Sequence, residues 1–181
     1  MYFLLTSDGQ RIAVHAYGPR EAEESVVMLH GWWMNHRVFE AAVGSLLHKK
    51  KRVLLPDLRG FGGSAGVEAG VFLARMALDV YELVKLENLR NITFVGHGLG
   101  AAAALRYLRL FSGFRVRRAV MLSAGEISRE AQGAASNLAL LPAGEETVSA
   151  TLKFINQTGD FASALSVRLA SGGAVSDDDY R

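Results

Sequence analysis

The chain has 181 residues, half of them apolar, and its 20 basic and 18 acidic side chains leave a formal net charge of +2. This composition is typical of one globular domain and excludes a disordered chain. Because the sequence contains no cysteine, disulfide bridges, thiolate zinc sites and thiol catalysis are all excluded.

The predicted elements begin with an antiparallel hairpin. Apolar or alternating runs at 2–6 and 11–17 are joined by an Asp8-Gly9 step, a strong hairpin signal. Four short apolar runs then predict strands buried on both faces: Val26 to Leu29, Arg52 to Leu55, Ile92 to Val95 and Ala119 to Leu122. Apolar residues at helical spacing predict helices between them: His36 to His48, Val71 to Leu86 and Leu99 to Phe111. This alternation indicates the α/β class, with a mostly parallel sheet of about six strands and helices on both faces.

The pattern changes after Ala124. No long apolar strand run remains, and we expect short helices near 131–141, 148–155 and 161–169, followed by a frayed tail.

Neither a membrane nor a nucleic acid is indicated as a partner. The first ten residues lack the basic start and apolar core of a secretory signal, and no uncharged apolar run approaches the roughly 20 residues of a membrane span. We therefore expect a cytoplasmic protein. The basic run from Lys49 to Arg52 ends a predicted helix without interleaved aromatic residues, which favours a solvated helix end over a nucleic-acid patch.

Three glycine-containing stretches each follow a predicted buried strand. They are His30-Gly31-Trp32-Trp33, Pro56-Asp57-Leu58-Arg59-Gly60-Phe61-Gly62-Gly63-Ser64 and Gly96-His97-Gly98-Leu99-Gly100. In this order and spacing, from about residue 1 to Ala124, the chain resembles the α/β-hydrolase family and its lid-bearing esterases, epoxide hydrolases and haloalkane dehalogenases. The resemblance implies hydrolysis of ester or related bonds in small apolar substrates, with no cofactor and no metal.

The third stretch has the form of a nucleophile elbow, a sharp turn from a strand into a helix. Gly96 and Gly100 are the small residues that flank it, and the backbone N–H groups of Trp32 and Leu99 are expected to form an oxyanion hole. The central residue is Gly98, where the family has Ser or Asp, so the nucleophilic atom is missing. We expect Gly98 to have a positive φ, which glycine tolerates best.

The general base is missing as well. In the family an acid and then a His follow the elbow, but the five His, at positions 15, 30, 36, 48 and 97, all precede Gly98. We therefore expect a catalytically incomplete chain that stops part-way through the fold. Residues 1–124 would be the N-terminal part of the hydrolase core, and residues 125–181 the start of a helical lid with a frayed tail. The strand ending near Leu122 would then be an exposed edge open to self-association.

An aromatic and thioether group is predicted on two loops at one sheet edge. Trp33, Met34 and Phe61, together with Trp32, are interpreted as the lining of an apolar pocket for a small substrate or ligand, with core packing nearly as well supported.

For three polar residues, His30, Asp57 and Glu126, a structural role is favoured over a catalytic one. His30 is expected to be a buried, hydrogen-bonded residue that shapes the oxyanion loop. Asp57 ends a strand, where catalytic groups gather, but a turn-bonding Asp paired with Arg59 is favoured. Glu126 is interpreted as a surface or helix-start carboxylate rather than a catalytic acid.

Two other functions remain open. The segment Gly96-x-Gly98-x-x-Ala101 satisfies the dinucleotide fingerprint, follows a buried strand and opens a helix, which would make the chain an NAD- or flavin-dependent oxidoreductase. Against this, the fingerprint normally lies in the first βα turn, whereas two strand–helix units precede it here. The other alternative is a non-catalytic hydrolase-fold protein that binds a small ligand or a partner.

Overall fold

The computed structural model describes residues 1–67, 69–122 and 138–141. Its strands form one seven-stranded sheet in the spatial order β1-β2-β4-β3-β5-β6-β7. The strands are β1 (Tyr2–Leu5), β2 (Arg11–Tyr17), β3 (Ser25–Leu29), β4 (Arg52–Pro56), β5 (Ile92–His97), β6 (Val116–Leu122) and β7 (Leu138–Leu141). The hairpin strands β1 and β2 are antiparallel to their neighbours, and all pairs from β4 to β7 are parallel. The α/β class and the mostly parallel sheet are therefore confirmed.

Helices cover both faces of the sheet. A short 3₁₀ helix (His36–Phe39) leads into α1 (Glu40–His48), and α2 (Leu73–Leu86) and α3 (Leu99–Leu110) follow. Side chains of α1 pack with one face of the strands in one apolar core, and those of α2 and α3 pack with the opposite face in a second core. The strand β3 is buried at all five positions, as its unbroken apolar run predicts for a strand covered on both sides.

The described part of the chain after Ala124 differs from the prediction. Residues Leu138–Leu141 form a strand, not part of the helix expected near 131–141, and they pair in parallel with β6. The prediction was wrong because a four-residue apolar run is too short for periodicity to distinguish a strand from a helical turn.

The pairing of β6 with β7 removes the expected exposed edge, because Leu122 lies opposite Leu141 in the sheet. The outermost described strand on this side is β7 instead, and self-association through a sheet edge stays a prediction. Glu126 and the helices expected at 148–155 and 161–169 lie outside the described residues, and the division of the chain at residue 124 stays a prediction.

Within the described residues, no helix has both the length and the apolar character that a membrane crossing requires.

Candidate active site

The turn from β5 into α3 places Gly98 at the carboxyl end of an inner parallel strand. Its φ is 49° and its ψ is −112°, which confirms the positive φ predicted from the sequence. The turn is fixed from two sides, since Gly98 donates its N–H to the carbonyl of Leu122 and accepts the N–H of Ala102, both at 3.0 Å. A residue with a side chain would be strained in this backbone conformation.

Packing explains why glycines flank the turn. A Cβ on Gly100 would lie 2.0 Å from the carbonyl oxygen of Leu29, and a Cβ on Gly96 would lie 2.6 Å from the Cα of Ala101. No side chain fits at either position, because α3 passes directly against β3 and β5. At Gly98, by contrast, the nearest described atom outside its chain neighbours is the Cα of Gly31, 3.8 Å from the position of a Cβ. A side chain there would project into open space beside the loop after β3.

The loop after β3 carries the other predicted oxyanion donor. Trp33 in this loop has a φ of 56°, an uncommon conformation for a residue with a side chain. The N–H groups of Trp32 and Leu99 donate no hydrogen bond to another described residue. Leu99 is the first residue of α3, where N–H groups have no acceptor within the helix. The role of these two N–H groups as an oxyanion hole stays a prediction.

His30 is fully buried beneath this loop, as expected. Its Nε2 accepts the N–H of Leu58 at 2.9 Å, so the proton is on Nδ1, which donates to the carbonyl of Gly31 at 2.8 Å. Burial lowers the pKa of His30 to about 4. His30 is thus a neutral imidazole with both ring nitrogens engaged, and it fixes the loops after β3 and β4 relative to each other.

His97 lies beneath the same loop, one residue before Gly98. Its Nδ1 is buried without a hydrogen-bond partner among the described residues, and it lies 2.5 Å from the position that a Cβ on Gly31 would occupy. Burial lowers the pKa of His97 below its usual value. Gly31 is therefore required for the loop to rest against a neutral His97 ring.

The structure brings the predicted aromatic residues together. Trp32 and Trp33 are both more than half exposed, and they contact the buried Phe61 at ring-centroid distances of 5.3 Å and 6.2 Å. The sulfur of Met34 lies close to Gly31. These residues form an aromatic cover above His30, whose ring is 5.9 Å from that of Phe61.

An apolar cavity of about 580 Å³ opens beside this cover, between the start of α2 and the outer face of α3, and we call it the α2–α3 cavity. Trp32 and Leu99 line it, whereas Trp33, Met34 and Phe61 are not among its lining residues, and the pocket role of those three stays a prediction. The residues that complete the lining are Val71, Phe72, Leu73, Ala74, Met76, Ala102, Leu105, Arg106 and Arg109. A spacing of three or four residues along α3 could have indicated part of this lining. It places Leu99, Ala102, Arg106 and Arg109 on one face of the helix.

Asp57 is fully buried at the end of β4. Its carboxylate accepts the backbone N–H groups of His36 and Gly63, both at 2.7 Å. The Nδ1 of His36 lies 2.9 Å from Asp57 Oδ1, and the ring of His36 stacks on that of His15 with centroids 3.4 Å apart. The turn-bonding interpretation of Asp57 is thus supported, and sequence reasoning missed its two histidine neighbours.

The predicted pairing of Asp57 with Arg59 is wrong. The Arg59 side chain is fully buried and makes two hydrogen bonds to the Asp79 carboxylate, at 2.7 and 2.8 Å, and two to Asp8, at 2.9 and 3.1 Å. Its guanidinium points away from Asp57 toward α2 and the hairpin turn, where the two carboxylates balance its charge.

A tight glycine turn between an inner parallel strand and a helix, beside a second glycine loop, is the arrangement expected of an α/β hydrolase. The chain belongs to the α/β-hydrolase family, since residues 26–179 match the family model described as "Alpha/beta hydrolase family". Family membership favours the elbow over the dinucleotide fingerprint as the interpretation of the segment from Gly96 to Ala101.

Known relatives agree with this assignment. The chain is 34% identical over 99 residues to the AB hydrolase superfamily protein YisY of Bacillus subtilis (strain 168), covering 55% of this chain and 37% of that protein. It is 32% identical over 126 residues to a non-heme chloroperoxidase of Burkholderia pyrrocinia, covering 68% and 45%. Among solved structures, an esterase from Exiguobacterium antarcticum has a TM-score of 0.65 and 28% identity, covering 87% of this chain and 56% of that one. The chain spans less than half the length of these two curated relatives.

Proposed function

We propose that this chain binds small apolar esters and carboxylic acids at the elbow and does not hydrolyse them by itself. The observation that carries the proposal is Gly98, which has the positive φ of the turn but no side-chain atom to attack a carbonyl carbon. The backbone donors of Trp32 and Leu99 do not depend on the missing side chain, so ligand binding and catalysis are separable in this site.

The histidines nearest the elbow do not supply a general base in this proposal. A serine hydroxyl is a poor nucleophile until a neighbouring base removes its proton. Both ring nitrogens of His30 are occupied by hydrogen bonds, and the Nδ1 of His97 is buried against Gly31. His30 therefore has no ring nitrogen free to accept a proton, and the Nδ1 of His97 faces Gly31.

The shape and lining of the α2–α3 cavity support an elongated apolar ligand. Leu99 and Arg109 both line it, and ten residues of helix separate them by about 15 Å. Apolar side chains form most of the wall, and Arg106 contributes a positive charge. A medium-chain or aryl carboxylic acid, or its ester, combines the apolar body and the polar head group that such a cavity selects.

Intrinsic fluorescence tests this proposal directly, because both tryptophans of the chain lie in the loop beside the elbow. We expect octanoate to change the tryptophan fluorescence of the full chain in a saturable way. Ala74→Phe should fill part of the cavity and weaken octanoate binding by about tenfold or more. Ala41→Phe, an exposed position on α1 at the opposite face of the sheet, is the matched control and should bind as the wild type does.

A saturable change that Ala74→Phe leaves unaltered would place the ligand elsewhere and contradict the proposal, as would no change at millimolar octanoate. The cytoplasmic location expected from the sequence, and the expected lack of a cofactor, stay predictions.

A further inference from the structure

Three side chains with metal-ligand atoms converge near the ends of β2 and β4. They are His15, His36 and Asp57, and one ligand atom from each lies within 4.8 Å of the other two. The three residues are contributed by β2, by the 3₁₀ helix before α1 and by the end of β4, so only the folded chain brings them together. We propose that this cluster binds a divalent first-row transition metal ion, with Zn²⁺ as the reference ion.

The spacing of the ligand atoms matches one ion. A tetrahedral Zn²⁺ with bonds of about 2.05 Å holds its ligand atoms about 3.3 Å apart. In the cluster, His36 Nδ1 lies 2.9 Å from Asp57 Oδ1, and His15 Nε2 lies 4.0 Å from Asp57 Oδ2. These separations fall on either side of the ideal value, and the two stacked rings have to tilt apart for both nitrogen lone pairs to point at one ion. Two imidazoles and one carboxylate form a ligand set suited to zinc and its neighbours.

A bound ion would take the place of the proton that His36 Nδ1 shares with Asp57 Oδ1, because metal ligands must be free of protons.

The surroundings hold the ligands in place and leave a path for an ion. The backbone N–H groups of His36 and Gly63 fix the Asp57 carboxylate, and Glu40 Oε1 lies 3.6 Å from His36 Nε2. A carboxylate behind the second ring nitrogen is the usual outer support of a metal-bound histidine. The side chains of His15 and His36 are 18% and 13% exposed, so an ion reaches the site from their side and can bind water in a remaining position.

Binding is tested on the full chain with Zn²⁺ by calorimetry and with Co²⁺ by its visible absorption, which intensifies in a tetrahedral site. We expect one ion per chain. His15→Gln and His36→Gln should each weaken binding by about tenfold or more. His48→Gln is the matched control, since His48 is exposed at the end of α1, and it should bind as the wild type does.

A second measurement uses only the wild-type chain, so it does not depend on how the variants fold. Zn²⁺ should protect His15 and His36, but not His48, from acylation by diethylpyrocarbonate, with the modified residues located by mass spectrometry. The inference is overturned if neither ion binds at sub-millimolar concentration, if folded His15→Gln and His36→Gln bind as tightly as the wild type, or if Zn²⁺ leaves the acylation of both residues unchanged. None of these results depends on ligand binding at the elbow, so the failure of one proposal is distinguishable from that of the other.

Discussion

At the scale of single residues, His30 does most to hold the two site loops together. It is fully buried, accepts the N–H of Leu58 and donates to the carbonyl of Gly31. This arrangement requires the neutral ring, since a second proton on Nε2 would face a backbone donor. The pKa of about 4 follows from that environment.

We predict that the chain loses stability as the pH falls from about 6.5 to about 4. In this range an unfolded His30, with a pKa near 6.5, binds a proton that the folded state excludes, so acid favours unfolding. The loss from His30 is up to about 3 kcal/mol, and the lowered pKa values of His15 and His97 act in the same direction. Urea denaturation at several pH values measures this change in the free energy of unfolding.

His30→Gln should flatten this pH dependence, because glutamine does not titrate. His48→Gln, which changes an exposed histidine, should keep the wild-type dependence. An equally steep loss of stability in folded His30→Gln would show that another group controls it.

At the scale of elements, one buried arginine joins three segments. Arg59, in the loop after β4, makes paired hydrogen bonds to Asp79 on α2 and to Asp8 in the turn between β1 and β2. The planar guanidinium satisfies two carboxylates at once, which a lysine ammonium does not do in the same geometry. This network positions the start of α2, which forms one wall of the cavity.

Arg59→Lys should therefore destabilise the chain by about 3 kcal/mol, because a lysine ammonium does not replace the paired hydrogen bonds to the buried Asp79 and to Asp8. Arg20→Lys is the matched control, since Arg20 is 67% exposed and makes one hydrogen bond to Glu87, and its free energy of unfolding should stay at the wild-type value. Urea denaturation of both variants decides the point. Equal losses of unfolding free energy in Arg59→Lys and Arg20→Lys would contradict the prediction, because the buried hydrogen bonds of Arg59 would then stabilise the chain no more than the exposed one of Arg20.

Most helices and strands were predictable from apolar periodicity. Their exact first and last residues were not, because periodicity does not register the hydrogen bonds that extend or cap an element. The strand β6 begins at Val116 rather than Ala119 because Arg117 and Arg118 interrupt the apolar run while the backbone continues to pair. The helix predicted from His36 begins as a 3₁₀ turn capped by Asn35, whose side chain accepts the N–H of Arg37. The strand at Leu138–Leu141 was missed because its parallel pairing with β6 depends on the folded sheet.

At the scale of the whole molecule, the order of motifs along the chain predicted the architecture, and local spacing predicted the tight turn at Gly98. The sequence could not predict which side chains from distant segments meet. His15 and Asp57 become neighbours through the antiparallel pairing of β2 with β4, in which His15 lies opposite Leu55. The cavity likewise arises only where α2 packs against α3, and its lining was not predicted from the sequence.

We propose that the turn at Gly98 keeps the backbone geometry of a nucleophile elbow but lacks the groups that attack an ester. Gly98→Ser is the sharpest variant, since the nearest described atom is 3.8 Å from the new Cβ and the positive φ costs only about 1 kcal/mol. Gly9→Ser is the matched control, because Gly9 also has a positive φ and open surroundings but lies in the hairpin turn. It reports any acylation that occurs away from the elbow.

The decisive measurement is a single-turnover assay of 4-nitrophenyl butyrate with the wild type, Gly98→Ser and Gly9→Ser. We predict no burst of 4-nitrophenol from any of them, because the wild type has no nucleophile at position 98 and no histidine follows that position in the sequence to activate a serine there. A burst stoichiometric with Gly98→Ser, and not seen with Gly9→Ser, would contradict the account by showing that the chain supplies a working base beside the elbow.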